Sequence, residues 1–295
     1  MSDRKLIASG KTKQVFIDEN PNYVILEAID RLTAGDAAKI AEIGSIGSEK
    51  TTQCANNFNQ FEAAGIPTAF VDIASPIAIR CHAVDMLPIE FVMRRFAYGS
   101  FLKRNPDLVA GHRFDEPLTE VFHKACFVTP PTTTDVTRMT ENDARDKYLT
   151  DAGWPEGIYT DPYVKADGND WHIYSAKSPI EGAPITTIPA ELTDADLDYI
   201  WNKLLKPAFA LLEEKLANVD DANAPIALVD IKFEIGRRKD NGELVIADVI
   251  DNDSWRIWPK GDPKAQLDKQ GFRDGDDLDK VLVNYKIVTE ITNKF

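Results

Sequence analysis

The chain has 295 residues, 34 Lys+Arg against 48 Asp+Glu, and a formal net charge of -14. With 43% hydrophobic and 28% charged residues it is too apolar for intrinsic disorder, and it is long enough for one large domain or two smaller ones with a real core. A pI near 4.8 argues against broad electrostatic binding to nucleic acid or an anionic membrane, but not against a small anionic ligand in a local basic pocket.

The N-terminal stretch MSDRKLIASGKTK lacks the apolar core of a secretory signal, and no apolar run approaches a membrane span, so a cytoplasmic protein is expected. Lys5–Ile7 and Gln14–Ile17 read as strands around the polar turn Ser9–Lys13, and Tyr23–Ala28 as a third strand after Asn20-Pro21-Asn22. Ser48 to Ala64 reads as a helix closed by Gly65, with Phe58 and Phe61 on its apolar face. Cys54, Cys81 and Cys126 are odd in number, widely spaced and without a CxxC pair, which points to buried or incidental thiols rather than a disulfide framework or zinc site. Thr68–Ile73, Ile77–His82 and Ile89–Phe96 follow as strands.

From Thr129 to Pro189 the sequence is rich in Pro, Thr, Asp and Gly and weakly periodic; a structureless loop of that length is improbable, so local structure is expected there. Thr193 to Ala217 is the clearest helix, with a cap at Thr193, an apolar stripe through Leu197, Ile200, Trp201, Leu204 and Leu205, and a kink or division at Pro207. Ile226–Ile235 and Leu244–Ile250 flank Asn241-Gly242, a hairpin signal. Asp276 to Phe295 reads as a terminal helix. The order of elements predicts an α+β protein in two lobes, residues 1–85 β-rich and 86–295 mixed, with an insertion near 125–190.

Four clusters could carry chemistry. Gly10-Lys11-Thr12-Lys13 offers close backbone approach and two charges to a phosphate, but lacks the Walker A spacing, and an exposed basic hairpin tip fits as well. Arg94-Arg95 ends a strand just before Gly99-Ser100 opens a helix, which suits a monophosphate or, equally, an ordinary capped strand end. In Asp230-Ile231-Lys232-Phe233-Glu234, residues two apart share a face, so Asp230, Lys232 and Glu234 line one side; across the hairpin Asp248 could reach it, and Glu234 with Asp248 could serve as oxygen ligands for Mg²⁺, a reading favoured over a solvent-facing strand because strands this apolar are usually buried. Arg256 between Trp255 and Trp258 could present a guanidinium to an anion or simply pack its stem. His82, His112, His123 and His172 show no metal spacing, and a structural role is expected for each.

These motifs occur in one order with Asp30-Arg31-Leu32-Thr33-Ala34-Gly35-Asp36, Met86-Leu87-Pro88-Ile89-Glu90 and Asp268-Lys269-Gln270. Together they resemble the SAICAR synthetase family, from about Lys5 to the C-terminus. The resemblance implies a two-lobed, ATP-grasp-like fold with ATP between the lobes. It implies a ligase of purine biosynthesis that condenses carboxyaminoimidazole ribonucleotide with L-aspartate, using ATP and Mg²⁺, through an acyl phosphate. It assigns ATP phosphates to Lys11 and Lys13 on the Gly10 hairpin and the adenine side to Met86. Mg²⁺ falls to Glu234 and Asp248, the ribonucleotide to Arg94, Ser100 and Arg256, and substrate orientation to Lys232. Neither a nucleic-acid nor a membrane partner is expected, nor a fused carboxylase domain, although Asp248–Pro259 is similar to the version fused to one in animals. A family lysine followed by polar residues and a nearby Asp-Pro is matched to Lys124 and Asp161, although Ala125-Cys126 follow the lysine and Asp161-Pro162 lies far beyond it. A kinase-like phosphotransferase and a nucleotide-binding regulator without catalysis are the rival readings. The basic residues are expected to converge in a positive cleft within an acidic shell.

Overall fold

The computed structural model describes residues 4–34, 39–129 and 135–295. Gly35 and Asp36 of the quoted motif, and 130–134 of the Thr-rich stretch, lie outside the described residues. Packing divides the chain into two units, Met1–Leu87 with Asn202–Phe295, and Pro88–Trp201. The division differs from the expected 1–85 and 86–295 because the C-terminal third packs with the N-terminal residues.

The first unit begins with a five-stranded antiparallel sheet in the order Leu6–Ser9, Lys13–Ile17, Tyr23–Ala28, Ala78–His82, Phe70–Ser75. Its first turn closes with Gly10 N–H donating to Lys13 O at 2.8 Å. The helix Ile46–Ala63 starts before the expected Ser48 and ends just short of the expected Ala64, and Phe58 and Phe61 on it are fully buried. Asp30 satisfies its open N-terminal amides, accepting from Ser45 N–H at 3.1 Å and Gly47 N–H at 2.8 Å. The strand Ile226–Arg238 pairs antiparallel with Leu244–Ala247 and with Trp255–Pro259. Ala69 N–H donates to Ile246 O and Ile246 N–H to Pro67 O, joining residues far apart in sequence, pairings that local patterns do not reveal. The terminal helix Leu278–Thr292 starts at Asp277, whose carboxylate accepts from Asp279 N–H at 2.9 Å. It packs on the first helix, where Gln53 donates to Tyr285 O at 2.8 Å and Val281 and Tyr285 join Leu32, Ile43, Ile46 and Phe272 in one core.

In the second unit, Pro88 onward of the strand Val84–Phe96 pairs with Arg113–His123, which pairs with Tyr163–Asp167, then Asp170–Tyr174, then Thr186–Pro189. The stretch expected to hold local structure does so. Cys126–Val128 pairs with Thr137–Met139 and Ile158–Tyr159, and the helix Glu141–Tyr148 is capped by Thr140. The long helix read from Thr193 is Asp194–Tyr199 with a capping box at Thr193, a wide π turn Ile200–Leu205, then Lys206–Asn218. The π turn precedes Pro207, which has no N–H to give the usual carbonyl, so the division falls where the proline required it. Among the described residues no helix is long and apolar enough to cross a membrane.

Candidate active site

In the first unit the hairpin lysine meets the C-terminal third. Lys13 Nζ donates to both carboxylate oxygens of Asp248, at 2.7 and 2.8 Å, across 235 positions of sequence. Burial disfavours the Lys13 charge, but the carboxylates of Asp248, Asp251 and Glu234 outweigh it and raise the lysine pKa. The register explains how Asp248 gets there. Glu234 lies opposite Ala247, so an unbroken ladder would set Asp248 opposite Phe233, on the apolar face. Instead the strand ends at Ala247 and Asp248 takes a left-handed backbone, φ 58, which re-aims it.

Glu234 is buried and accepts from Lys232 at 3.0 Å, as residues two apart on one face should. Asp230, on that face too, is buried and takes Arg256 Nη1 at 3.0 and 2.7 Å; the two are direct cross-strand partners. A bulge between Leu228 and Asp230 sets that pairing. Gly10 and Lys11 occupy the turn of the first hairpin, and Met86 is 42% exposed on the strand Val84–Phe96.

Sequence reasoning missed the cluster behind this face. Lys50 is almost fully buried on the first helix; it reaches Asp253 at 2.9 Å and Arg31 O at 3.0 Å. Lys269 lies 3.6 Å from Asp253, and the Tyr285 hydroxyl donates to Asp253. Burial works against the Asp253 anion, but Lys50, Lys269 and Tyr285 outweigh it and hold its pKa below the usual carboxylate range. Burial and the Asp253 charge push Asp251 up to about 6. Lys50 carried no signal, being one charge in a polar helix start. Asp251 and Asp253 lay within a quoted motif, and only the fold supplied their partners. A cavity of about 20 Å³ touches Thr12, Lys13, Lys50, Thr51, Cys54 and Asp251, room for a single water and far too small for a nucleotide.

In the second unit Arg94 and Arg95 are buried rather than solvated at their strand end. Arg94 donates to Glu120 through Nε at 3.1 Å and Nη2 at 3.0 Å, and through Nη1 to Tyr98 O at 3.1 Å. Arg104 shares Glu120 and donates to Ala176 O at 2.8 Å. One carboxylate between two buried guanidiniums leaves the trio net positive, a setting that favours an anion. Ser100 is exposed at the start of the five-residue helix Ser100–Arg104. Lys124 and Asp161 lie just beyond the paired ends of neighbouring strands: Val121 pairs with Val164 and Phe122 with Tyr163, and His123 N–H donates to Pro162 O at 3.0 Å. The 36 residues between them therefore leave and return at one place. Cys54, Cys81 and Cys126 are free and buried, and burial pushes the first two thiols up, the inert reading expected of them.

Solved structures share this fold. Phosphoribosylaminoimidazole-succinocarboxamide synthase from Ehrlichia chaffeensis superposes with a TM-score of 0.69 at 24% identity, covering 99% of both chains. A SAICAR synthetase in complex with ADP superposes with a TM-score of 0.68 at 25% identity, over 98% of this chain and 97% of that one. The fold is thus the α+β fold of those ligases. By sequence the match is closer, and it settles the family: residues 6–141 and 192–290 match the SAICAR synthetase family model, and the chain belongs to that family. The phosphoribosylaminoimidazole-succinocarboxamide synthase of Chloroflexus aurantiacus is 34% identical over 98% of this chain and 96% of its own. A multifunctional protein of Gallus gallus is also 34% identical, over 92% of this chain but 52% of its own. The family model leaves residues 142–191 unmatched and matches 125–141, the first part of the stretch read as an insertion near 125–190.

Proposed function

We propose that this chain is an ATP-dependent ligase joining the carboxylate of carboxyaminoimidazole ribonucleotide to the amine of L-aspartate, in purine biosynthesis. Family membership and near-full-length similarity to enzymes named for that reaction support the reading. The observation that carries it is the Lys13–Asp248 pair within a group that includes Asp251 and Glu234. It brings a Gly-Lys hairpin and three carboxylates, from opposite ends of the chain, to one place.

A carboxylate is a poor acyl donor because its leaving group is oxide. In the proposed reaction its oxygen bonds to the γ-phosphorus of ATP as the bond to ADP breaks. The aspartate nitrogen then bonds to the acyl carbon, phosphate leaves, and the nitrogen loses its proton. Such chemistry asks the protein mainly to position anions and neutralise charge. Lys11 and Lys13 are assigned to the nucleotide phosphates, with Gly10 allowing close approach, and Met86 to the adenine. Arg94 and Ser100 are assigned to the ribonucleotide phosphate, which the net positive charge of the Arg94–Glu120–Arg104 trio favours. Arg256 is assigned to the same substrate, with Asp230 fixing its guanidinium. Lys232 orients the reactants, and Lys124 with Asp161 serve the aspartate.

Asp248 and Glu234 are the residues that would hold Mg²⁺. Their oxygen-only donors suit a hard dication, and each has an ammonium partner, Lys13 or Lys232, in the electrostatic role a dication takes. Bound there, the metal would supply charge neutralisation at the phosphates. Supplying ATP, Mg²⁺, L-aspartate and the ribonucleotide should give ADP, phosphate and the succinocarboxamide. Absence of product with all four present, or ADP release that ignores aspartate, overturns the proposal; the latter outcome favours a kinase-like phosphotransferase.

A further inference from the structure

We infer that His123 is a positioning residue that sets Lys124 against Asp161, through the neutral tautomer that carries its proton on Nε2. The inference rests on the reading above, in which these two residues serve the aspartate. His123 is the last residue of the strand Arg113–His123 and is completely buried. Its Nδ1 accepts from the Ala125 main-chain N–H at 2.9 Å, so that nitrogen carries no proton. Its Nε2 lies 3.1 Å from Glu191 Oε2 and therefore donates to it. Arg138 donates to the other Glu191 oxygen at 2.5 Å. The ring also meets Phe127 edge-on, with centroids 5.4 Å apart.

The bonds of residues 123–125 thus fall on either side of the Lys124 side chain. His123 N–H holds Pro162 O at 3.0 Å, Lys124 N–H holds Pro88 O at 2.9 Å, and Ala125 N–H is held by the imidazole. The first of these fixes the far side too. Asp161, next to Pro162, has φ 43, the left-handed region that aspartate adopts more readily than most residues. Thr160, before it, is buried and accepts from Lys177 at 3.0 Å. Main chain pinned this closely fixes the direction in which the Lys124 side chain leaves the strand, and a misplacement of about 1 Å in a reacting group is enough to cost roughly a hundredfold in rate.

Two substitutions separate the ring's two bonds. In His123→Asn the side-chain oxygen falls near the Nδ1 position and can still accept from Ala125 N–H, while the tie to Glu191 is lost. In His123→Gln the amide reaches Glu191, but the acceptor for Ala125 is lost, and more core volume is kept. The positioning role predicts that Gln lowers kcat/KM for L-aspartate at least tenfold while Asn stays within about threefold of the parent, although Asn melts lower. KM for ATP should not move in either. A merely structural role predicts the reverse order, with activity following stability. That order, or two variants that both keep full kcat/KM, overturns the inference. Lys124→Met separates its failure from that of the parent reading. If Lys124→Met is fully active, the assignment of Lys124 falls and the inference with it; if it is inactive while both His123 variants are normal, only the inference falls. Should the variants not fold, ¹⁵N NMR of the parent imidazole decides: protonated Nε2 with bare Nδ1 is expected, and a proton on Nδ1 overturns it.

Discussion

Replacing Asp248 with Asn should have opposite effects on nucleotide binding with and without Mg²⁺. Lys13 is held by both oxygens of Asp248, with the two side chains 21% and 24% exposed, neither fully solvated nor dry. A charge-assisted pair in that setting contributes about 1 to 2 kcal/mol. A nucleotide phosphate that recruits Lys13 must first break it. Without the carboxylate charge that cost is gone, and ADP in the presence of EDTA should bind about five- to thirtyfold more tightly to Asp248→Asn. With Mg²⁺ the sign reverses, because one of the two expected metal ligands is lost. The gain in ADP affinity that Mg²⁺ gives the parent should vanish, and turnover should fall about a hundredfold or more. Isothermal titration of ADP into both proteins, with EDTA and with Mg²⁺, reads all four affinities. Metal-free ADP binding that is unchanged or weaker refutes the competition between Asp248 and phosphate for Lys13. A full Mg²⁺ enhancement in the variant refutes the metal assignment.

Asp268 is buried, accepts from Gln270 N–H at 2.7 Å and Ile257 N–H at 3.2 Å, and is pushed up to about 6 mainly by burial. A carboxyl with a raised folded pKa binds more protons folded than unfolded between about pH 4 and 6, so its contribution to stability is lost as pH rises through that window, roughly 3 kcal/mol in all. Urea unfolding at pH 4.5 and 7.5 should therefore show Asp268→Asn gaining on the parent at the higher pH, and a pH-independent difference contradicts this. Gly236→Ala should destabilise by about 1 to 3 kcal/mol, because an added Cβ would lie 2.6 Å from a Val84 methyl. Val84→Ala should recover part of that loss in the double variant, and strict additivity would show that the clash is not the cause. Lys50→Met should cost about 2 to 4 kcal/mol in unfolding experiments, since it strips a buried partner from Asp253. Adding Asp253→Asn should make the second loss smaller than it is alone.

Much of the fold was legible from local pattern. Tyr23–Ala28 matches its expected bounds, and the helix from Thr193 carries its capping box and changes character before Pro207. Local chemistry fixes such features, since caps, turns and alternation act within a few residues. The hairpin at Asn241-Gly242 was legible too, but its register was not. Parity alone would turn Asp248 to the wrong face, and the left-handed backbone that corrects it belongs to a non-glycine residue with no sequence signature. The strand end at Arg94-Arg95 could be read equally as an anion site or an ordinary capped end, because the partner of Arg94, Glu120, lies 26 positions away on another strand.

By itself, then, the sequence determined the family and the local elements, because its motifs stand in one order and each element is written in its own few residues. It also determined that the chain is strongly acidic. Only the tertiary structure decided how the charges pair: Lys13 with Asp248, Arg256 with Asp230, Lys50 and Lys269 with Asp253, Arg94 and Arg104 with Glu120. Burying a charge demands a partner within a few ångströms, and which residue arrives there depends on register and packing rather than on distance along the chain. A net charge of -14 records the total of those charges, while the site is made by their placement.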